Sequence, residues 1–244
     1  MRTLRLLFEY DGTDFVGWQI QRNGRTIQGE FERALKILLK EPIRPTASGR
    51  TDAGTHALGQ VAHFHTDSDL PLTQIHRGLN GLLPPDIAVH AIDAVPADFH
   101  ARYSAKTKRY SYRIHPGKSA LNRTQVWSYY PKLSLEPMAE AARLLYGEHN
   151  FGAFCKQDPI PKLLSCQIFD AIWSRRNTEL VFEIEANRFL RHMVRIIVGT
   201  MVEIGRGTRP PEDIAMLLSS GDRTAAGATA PSCGLSLLWV AYND

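Results

Sequence analysis

Strand-like and helix-like segments follow one another in the same order in both halves of this chain of 244 residues. Alternation of apolar and polar residues marks the strands, and apolar residues three or four apart mark the helices. The first half gives the βαββαβ order of a ferredoxin-like unit. Its predicted segments are strands at 3–10, near 43, at 60–65 and at 87–94, with helices at 26–39 and 72–82.

The second half of the chain repeats this order without evident residue identity to the first. We therefore predict an α+β fold in which two ferredoxin-like units form a largely antiparallel sheet with a central cleft for a ligand. The loop 96–107 is the expected boundary, which gives an N-terminal half at 1–105 and a C-terminal half at 106–244. The predicted segments of the C-terminal half are strands at 108–115, 166–174, 179–186 and 235–242, with helices at 135–146, 188–204 and 210–218.

Composition restricts the class of protein more than its function. Hydrophobic residues make up 43% of the chain and charged residues 22%, the balance of a soluble globular protein. The net charge of +4 permits a polyanionic partner without requiring one. The three cysteines form no C-x-x-C pair, which argues for a reducing compartment. With no signal peptide and no apolar run of about 20 residues, we expect a cytoplasmic protein without a membrane partner.

The densest group of reactive side chains lies at 48–57, Ser-Gly-Arg-Thr-Asp-Ala-Gly-Thr-His-Ala, between two predicted strands. A connection between strands allows a rigid sheet to hold a loop for chemistry, and Asp52 is its carboxylate. Gly49 and Gly54 allow backbone conformations and close approaches that other residues resist. Thr-Asp-Ala-Gly also suits an ordinary turn, so the residues alone leave a structural turn and a functional loop open.

Two further segments combine cations with aromatic or apolar residues. In the first, 99–112, cations can neutralise phosphates and aromatic rings can stack on unpaired bases. A half-buried strand with a charged outer face explains the same pattern. In the second, Arg188, Arg191 and Arg195 share helical spacing and form one stripe on the predicted helix. This stripe is either a solvated basic face or a source of an arginine that keeps Asp52 ionised.

The histidines His56, His63 and His65 are close enough in sequence to suggest a metal site. No nearby cysteine or third carboxylate completes a ligand set, so we predict no metal and interpret them as strand histidines with satisfied partners. The chain contains neither a phosphate-binding P-loop nor a dinucleotide-binding fingerprint.

The string Gly-Arg-Thr-Asp-Ala-Gly-Thr-His-Ala at 49–57 resembles the signature of the TruA-type tRNA pseudouridine synthases. The resemblance runs through nearly the whole chain, and it departs from the family pattern at Thr55 and at Ser232–Cys233, with a loose match at 148–154. The other blocks that resemble the family are 9–13, 17–19, 80–84, 99–105, 106–112 and 189–207.

This resemblance implies a pseudouridine synthase fold and an isomerase that converts uridine to pseudouridine in the anticodon stem and loop of tRNA, at tRNA positions 38, 39 and 40. It implies that Asp52 is the nucleophile and that Tyr110 contacts the target base. It gives Arg195 the role of pairing with Asp52, and Arg50 the role of holding the place of the flipped nucleotide. Arg102 is a further expected substrate-binding residue. The family's enzymes act on tRNA as homodimers and use no cofactor.

Two other classes stay open beside this one. A noncatalytic RNA-binding protein with sheets like those of RNA-recognition motifs would need exposed aromatics in the RNP pattern, and no such string occurs. A metal-dependent hydrolase would use the three histidines His56, His63 and His65 and would lose activity with a chelator.

Overall fold

The computed structural model describes residues 1–156, 158 and 161–243. Strands and helices alternate along these residues, and no described helix is both long and apolar enough to cross a membrane. The strands are β1 Arg2–Tyr10, β2 Thr46–Ala47, β3 His56–Thr66, β4 Ile87–Val95, β5 Thr107–Pro116, β6 Trp127–Tyr129, β7 Gly147–Asn150, β8 Ser165–Arg176, β9 Glu179–Ala186 and β10 Leu235–Ala241. The helices are α1 Ile27–Leu39, α2 Leu72–Leu82, α3 Leu135–Arg143, α4 Met193–Gly205 and α5 Asp213–Ser220.

The chain divides into two compact units. The first contains Met1–Lys106 together with Ser236–Asp244, and the second contains Thr107–Leu235. The division falls next to the expected boundary between residues 105 and 106. The C-terminal end differs from the expected halves, because the backbone of β10 pairs in parallel with β3 at Ser236 and Leu237 and so completes the sheet of the first unit.

The sheet of the first unit has the order β4-β1-β3-β10, with β2 paired to β3. The pairs of β1 with β3 and β4, and of β2 with β3, are antiparallel. The alternation predicted for β1 is confirmed, since Leu4, Leu6, Phe8 and Tyr10 are all buried. Helix α1 covers this face, with the Phe31 ring 4.7 Å from that of Phe8.

Helix α1 begins where the sequence predicts. The side-chain oxygen of Thr26 accepts a hydrogen bond from the Gly29 N–H at 3.1 Å, which satisfies a donor of the first turn. The helix ends at Lys40, whose φ of 58° is left-handed. Pro42 follows two residues later, so the chain leaves the helix toward β2.

In the second unit the strand order is β5-β9-β8-β7, with antiparallel neighbours and with β6 parallel to β5. The predicted faces of β5 are confirmed. Tyr110, Tyr112 and Ile114 are buried, and they lie opposite Ile184, Phe182 and Leu180 of β9. On the other face Arg109 lies opposite Glu185.

The predicted helix at 188–204 is wrong in its first five residues. His192 has a φ of 64°, and a right-handed helix requires a φ near −63°, so α4 begins only at Met193. The expected stripe of three arginines on one helix is therefore also wrong. Arg191 lies before α4 and donates to the backbone carbonyl of Asp158 at 3.2 Å, and Arg195 lies in the first helical turn.

The smaller strands also differ from the prediction. The strand expected near residue 43 is the two-residue β2, and β3 begins at His56, four residues earlier than expected. The short strands β6 and β7 were not predicted. The sequence of β7, Gly-Glu-His-Asn, carries no apolar alternation, so only its pairing with β8 defines it as a strand.

Candidate active site

Asp52 lies in the loop between β2 and β3 of the first unit, and its side chain is half-buried. Backbone hydrogen bonds fix the loop on both sides of this residue. The carbonyl of Thr51 accepts from the Trp18 N–H at 3.2 Å, and the N–H of Gly54 donates to the carbonyl of Phe15 at 3.1 Å. The segment between β1 and α1 therefore holds the loop that carries Asp52.

The turn that the residues suggest is present within this loop. The Thr55 N–H donates to the Asp52 carbonyl at 3.1 Å, which closes a four-residue turn. Gly54 is the third residue of that turn and has a φ of 72°, a conformation that favours glycine. The turn and a functional loop are thus compatible, because the turn determines where the Asp52 backbone lies.

Two glycines of the segment after β1 allow close packing against this loop. A Cβ on Gly12 would lie 2.0 Å from the carbonyl oxygen of Thr55. A Cβ on Gly17 would lie 2.6 Å from the carbonyl oxygen of Thr51, and Gly17 also has a φ of 99°. Larger side chains at either position would displace the backbone next to Asp52.

A buried polar network supports the loop from the sheet below. Gln60 of β3 accepts a hydrogen bond from the Ser48 hydroxyl at 2.7 Å and donates to the carbonyl of Gly49 at 3.2 Å. The hydroxyl groups of Tyr10 and Thr51 share a hydrogen bond of 2.7 Å. Burial raises the pKa of the Tyr10 phenol to about 12, while its hydrogen bonds with Thr51 and Gln60 lower it. Tyr10 is therefore a neutral phenol at physiological pH.

Tyr10 and Gln60 were not predicted as parts of the site. Tyr10 followed the apolar alternation of β1, which concealed its polar role. A signal for Gln60 was present, because a fully buried glutamine in a largely apolar strand requires partners for its amide.

His56 joins the segment after β1 to the start of β3. Its Nδ1 accepts from the Gly12 N–H at 3.1 Å and lies 3.1 Å from a carboxylate oxygen of Asp11. Within the described part of the chain, its Nε2 and the Thr55 hydroxyl are buried without a hydrogen-bond partner. Thr55 is one of the departures from the family pattern, and nothing in the structure explains a polar group there.

The other predicted site residues are distributed over both units. Arg50 is exposed in the Asp52 loop, and Arg102 is exposed in a turn of the first unit that follows β4. Tyr110 is buried on β5 of the second unit. Its ring packs edge-on against Phe189, with centroids 4.9 Å apart. Arg195 of α4 donates from Nε to the carbonyl of Ala230 at 2.7 Å, which fixes the orientation of its guanidinium.

Of the three histidines considered as metal ligands, His63 and His65 have ordinary hydrogen-bond partners, and His56 has them only at Nδ1. Nδ1 of His63 accepts from the Ala101 N–H at 3.1 Å, and Nδ1 of His65 lies 2.9 Å from the Thr3 hydroxyl. Among residues 1–156, 158 and 161–243, no group of three His, Cys, Asp or Glu side chains is placed to hold a metal ion.

The cysteines are free and unreactive in character. Burial raises the pKa of Cys155 and Cys233, and it raises the pKa of Cys166 to about 11. All three therefore remain protonated thiols at neutral pH, and a thiolate nucleophile is not expected from them.

Comparison with known proteins identifies the class. The sequence pattern of the protein family described as tRNA pseudouridine synthase matches residues 6–104 and 141–243. The chain belongs to this family, which confirms the resemblance of its motifs.

Full-length relatives narrow the comparison further. The tRNA pseudouridine synthase A of Geobacter sulfurreducens is 46% identical over 244 residues, which cover 99% of this chain and 100% of the relative. The enzyme of that name from Halalkalibacterium halodurans is 48% identical over 240 residues, covering 96% of this chain and 90% of the relative. The one from Anoxybacillus flavithermus is 44% identical over 248 residues, covering 100% of each.

Proposed function

We propose that this member of the tRNA pseudouridine synthase family isomerises uridine to pseudouridine in the anticodon stem and loop of tRNA, at positions 38, 39 and 40, with Asp52 as the nucleophile. The observation that carries this assignment is the setting of Asp52. Its half-buried side chain extends from a turn whose backbone is fixed by hydrogen bonds, inside the first segment that matches the family.

The reaction explains why an aspartate suits this position. The bond between N1 of uracil and C1′ of the ribose breaks, the base turns, and C5 bonds to C1′. C5 loses a proton and N1 gains one, so the reaction is an isomerisation that needs no redox cofactor or energy donor. An anionic carboxylate can trap the sugar or add to the base while the base turns. A base paired in the stem must first leave its stack, at a cost of a few kcal/mol.

The remaining roles are proposed from the family resemblance and from each residue's own setting. Tyr110 contacts the target base and assists removal of the C5 proton. Arg195, oriented by the Ala230 carbonyl, pairs with the Asp52 carboxylate. Arg50 holds the place of the flipped nucleotide, and Arg102 binds the phosphate backbone. We also propose that the protein acts as a homodimer.

The ferredoxin-like interpretation of the first unit is supported by its strand order. The sheet runs β4-β1-β3 with β2 on β3, and α1 and α2 connect these strands in the order β-α-β-β-α-β. The second unit orders its strands β5-β9-β8-β7, and we propose that it is a ferredoxin-like unit as well. The predicted central cleft stays a prediction.

Release of tritium from tRNA labelled at C5 of uridine tests the reaction and the nucleophile together. We expect release by the wild-type protein, with or without chelator, and no release by Asp52→Asn. The transcripts carry uridine at position 38, 39 or 40 alone, with cytidine at the other two, so that each site is measured separately. Thermal unfolding of both proteins controls for a change in stability.

Other results would identify a different function. Binding of tRNA by both proteins without release of tritium would favour a noncatalytic RNA-binding protein. Activity lost with chelator would favour metal-dependent chemistry. Full activity of a folded Asp52→Ala variant would exclude Asp52 as the nucleophile.

A further inference from the structure

The turn that follows β4 is unusually well fixed for an exposed connection. The Ser104 N–H donates to the His100 carbonyl at 2.9 Å, and the His100 N–H donates back to the Ser104 hydroxyl at 3.1 Å. Nδ1 of His100 accepts from the backbone N–H groups of Arg102 and Tyr103, at 3.1 and 3.3 Å. Four hydrogen bonds thus brace residues 100–104, which we name the His100 turn.

This turn presents an aromatic ring to solvent. The Tyr103 ring stacks on the His100 ring, with centroids 4.3 Å apart and an angle of 34° between the planes. Tyr103 nevertheless remains 76% exposed. The guanidinium carbon of Arg102 lies 5.7 Å from the centre of the Tyr103 ring. One face of the Tyr103 ring is therefore supported by His100, while most of the residue stays accessible to a ligand.

The support continues into the sheet through His63. The His63 ring lies 4.6 Å from that of His100, and its Nδ1 accepts from the Ala101 N–H at 3.1 Å. Burial, and then the neighbouring His100 and His65, lower the pKa of His63 to about 4, against the effect of its hydrogen bond with the Thr46 backbone. His63 is therefore neutral at pH 7. Because Nδ1 accepts a hydrogen bond, the proton of the neutral ring lies on Nε2.

His63 connects the His100 turn to both strands that flank the Asp52 loop, because it lies on β3 and faces Thr46 of β2 in the strand pairing. The Tyr242 hydroxyl adds a second tie by donating to the Ala101 carbonyl at 2.7 Å. The His100 turn and the Asp52 loop are thus both attached to the paired strands β2 and β3 of the first unit.

We propose that His100, Arg102 and Tyr103 form a platform on which an unpaired base of the tRNA substrate stacks, with Arg102 beside the phosphate of that nucleotide. The platform presupposes the proposed activity on tRNA. Aromatic rings bind single-stranded bases by stacking with little dependence on base identity, and cations provide the phosphate contact. Because the ring is already ordered, binding does not have to restrict its rotation.

Variants of Tyr103 distinguish stacking from other contacts. Binding is measured in the Asp52→Asn background, which prevents turnover, with a tRNA transcript at fixed salt. Tyr103→Ala is expected to raise the Kd about tenfold or more, the range found when a stacked aromatic is removed. Tyr103→Leu keeps an apolar side chain without a π face, so its Kd is expected to resemble that of Tyr103→Ala. The Kd of Tyr103→Phe is expected to stay near that of the protein with Tyr103. Tyr146→Ala is the matched control, because Tyr146 is 68% exposed in the second unit.

A spectroscopic measurement reports stacking directly. A fluorescent adenine analogue is placed in turn at each unpaired position of the anticodon loop. Binding of the Asp52→Asn protein should quench its fluorescence at one of these positions. The same position should regain fluorescence in the double variant with Tyr103→Leu, at protein concentrations that saturate binding. Equal quenching by both proteins at every position would overturn the platform.

The remaining outcomes separate this platform from the proposed reaction. Unchanged Kd in Tyr103→Ala, with tritium release by the wild-type protein, would overturn the platform alone. A tenfold loss of binding without any tritium release from wild type would support the platform and overturn the reaction. A loss of binding that accompanies a change in sedimentation would show that Tyr103 contacts protein, and would also overturn the platform.

Discussion

Two polar regions of the molecule are held together by different forces. The Asp52 loop of the first unit is held by hydrogen bonds from neutral groups, the phenol of Tyr10, the amide of Gln60 and the backbone. The outer face of the sheet in the second unit is held by ion pairs around Arg109. Its guanidinium lies 2.8 Å from Asp170, 3.0 Å from Glu183 and 3.4 Å from Glu185.

The difference indicates what each region is for. Hydrogen bonds between neutral groups fix the backbone of the Asp52 loop without placing a further charge beside the Asp52 carboxylate. Ion pairs between several carboxylates and one guanidinium stabilise strand pairing, but they also make that pairing sensitive to salt. We therefore expect changes near Asp52 to reduce turnover more than stability, and changes near Arg109 to do the reverse.

The strongest test of this contrast is Gly12→Ala. The added Cβ would lie 2.0 Å from the carbonyl oxygen of Thr55, and the neighbouring atoms are also backbone, so the Asp52–Thr55 turn must move. We expect turnover to fall about 100-fold, because misplacement of a reactive group by about 1 Å has that effect. We expect a smaller effect on the free energy of unfolding, a loss of about 1 kcal/mol from the overpacking. Tritium release under saturating tRNA and urea unfolding measure the two effects.

Gly81→Ala is the matched control for this variant. Gly81 lies in α2, and a Cβ there meets nothing within 4 Å. Replacement of an exposed helical glycine by alanine raises stability by up to about 1 kcal/mol. Normal turnover with equal or higher stability is therefore expected. Equal turnover in Gly12→Ala and Gly81→Ala would show that the Asp52 loop tolerates displacement.

The second test, with a smaller effect, is Arg109→Met in the second unit. Loss of the Arg109 side chain leaves Asp170, Glu183 and Glu185 close together on the sheet without the guanidinium between them. We expect a loss of about 2 kcal/mol, between the values for exposed and fully buried pairs, with turnover per folded molecule unchanged. The deficit relative to wild type should shrink at high salt, because salt screens both the ion pairs of Arg109 and the repulsion among the three carboxylates. Urea unfolding at several salt concentrations measures this.

Arg176→Met provides the comparison within the same cluster. Arg176 also pairs with Glu183, but 61% of its side chain is exposed, so its removal should cost less than about 1 kcal/mol. A deficit for Arg109→Met no greater than that for Arg176→Met would mean that the cluster contributes no more than surface ion pairs.

The structure could be predicted from the sequence where the residues that determine it lie close together along the chain. The β1 alternation, the Thr26 cap and the loop around Asp52 all follow from residues within about ten positions of one another. The start of α4 could not be predicted, because the left-handed His192 interrupts a stretch whose apolar spacing continues through it.

Long-range contacts explain most of what else was missed. Tyr10 and Thr51 are 41 residues apart. Neither the alternation of β1 nor the motif around Asp52 therefore indicates the hydrogen bond that joins them. The placement of β10 beside β3 likewise depends on pairing across most of the chain. A motif can therefore indicate which loop carries Asp52, but not which side chains hold that loop in place.

The smallest and most discriminating effect concerns two buried phenols. Tyr10→Phe removes the partner of the Thr51 hydroxyl beside Asp52, and Tyr112→Phe removes the donor to the Pro231 carbonyl in the second unit. Burial raises the pKa of both phenols, so each is a neutral group at every pH of interest. Loss of either hydrogen bond should therefore reduce the free energy of unfolding by a similar amount, about 1 kcal/mol, without a dependence on pH.

Turnover should separate these two variants, although their stabilities do not. If the Tyr10 bond restrains the Asp52 loop in the transition state, about 1 kcal/mol corresponds to about a fivefold decrease in kcat for Tyr10→Phe. Tyr112→Phe should keep the wild-type kcat. Single-turnover tritium release at saturating enzyme measures the step directly. A fivefold decrease in both variants would mean that catalysis follows overall stability, and the hydrogen bonds of the Asp52 loop would then have no special role in positioning Asp52.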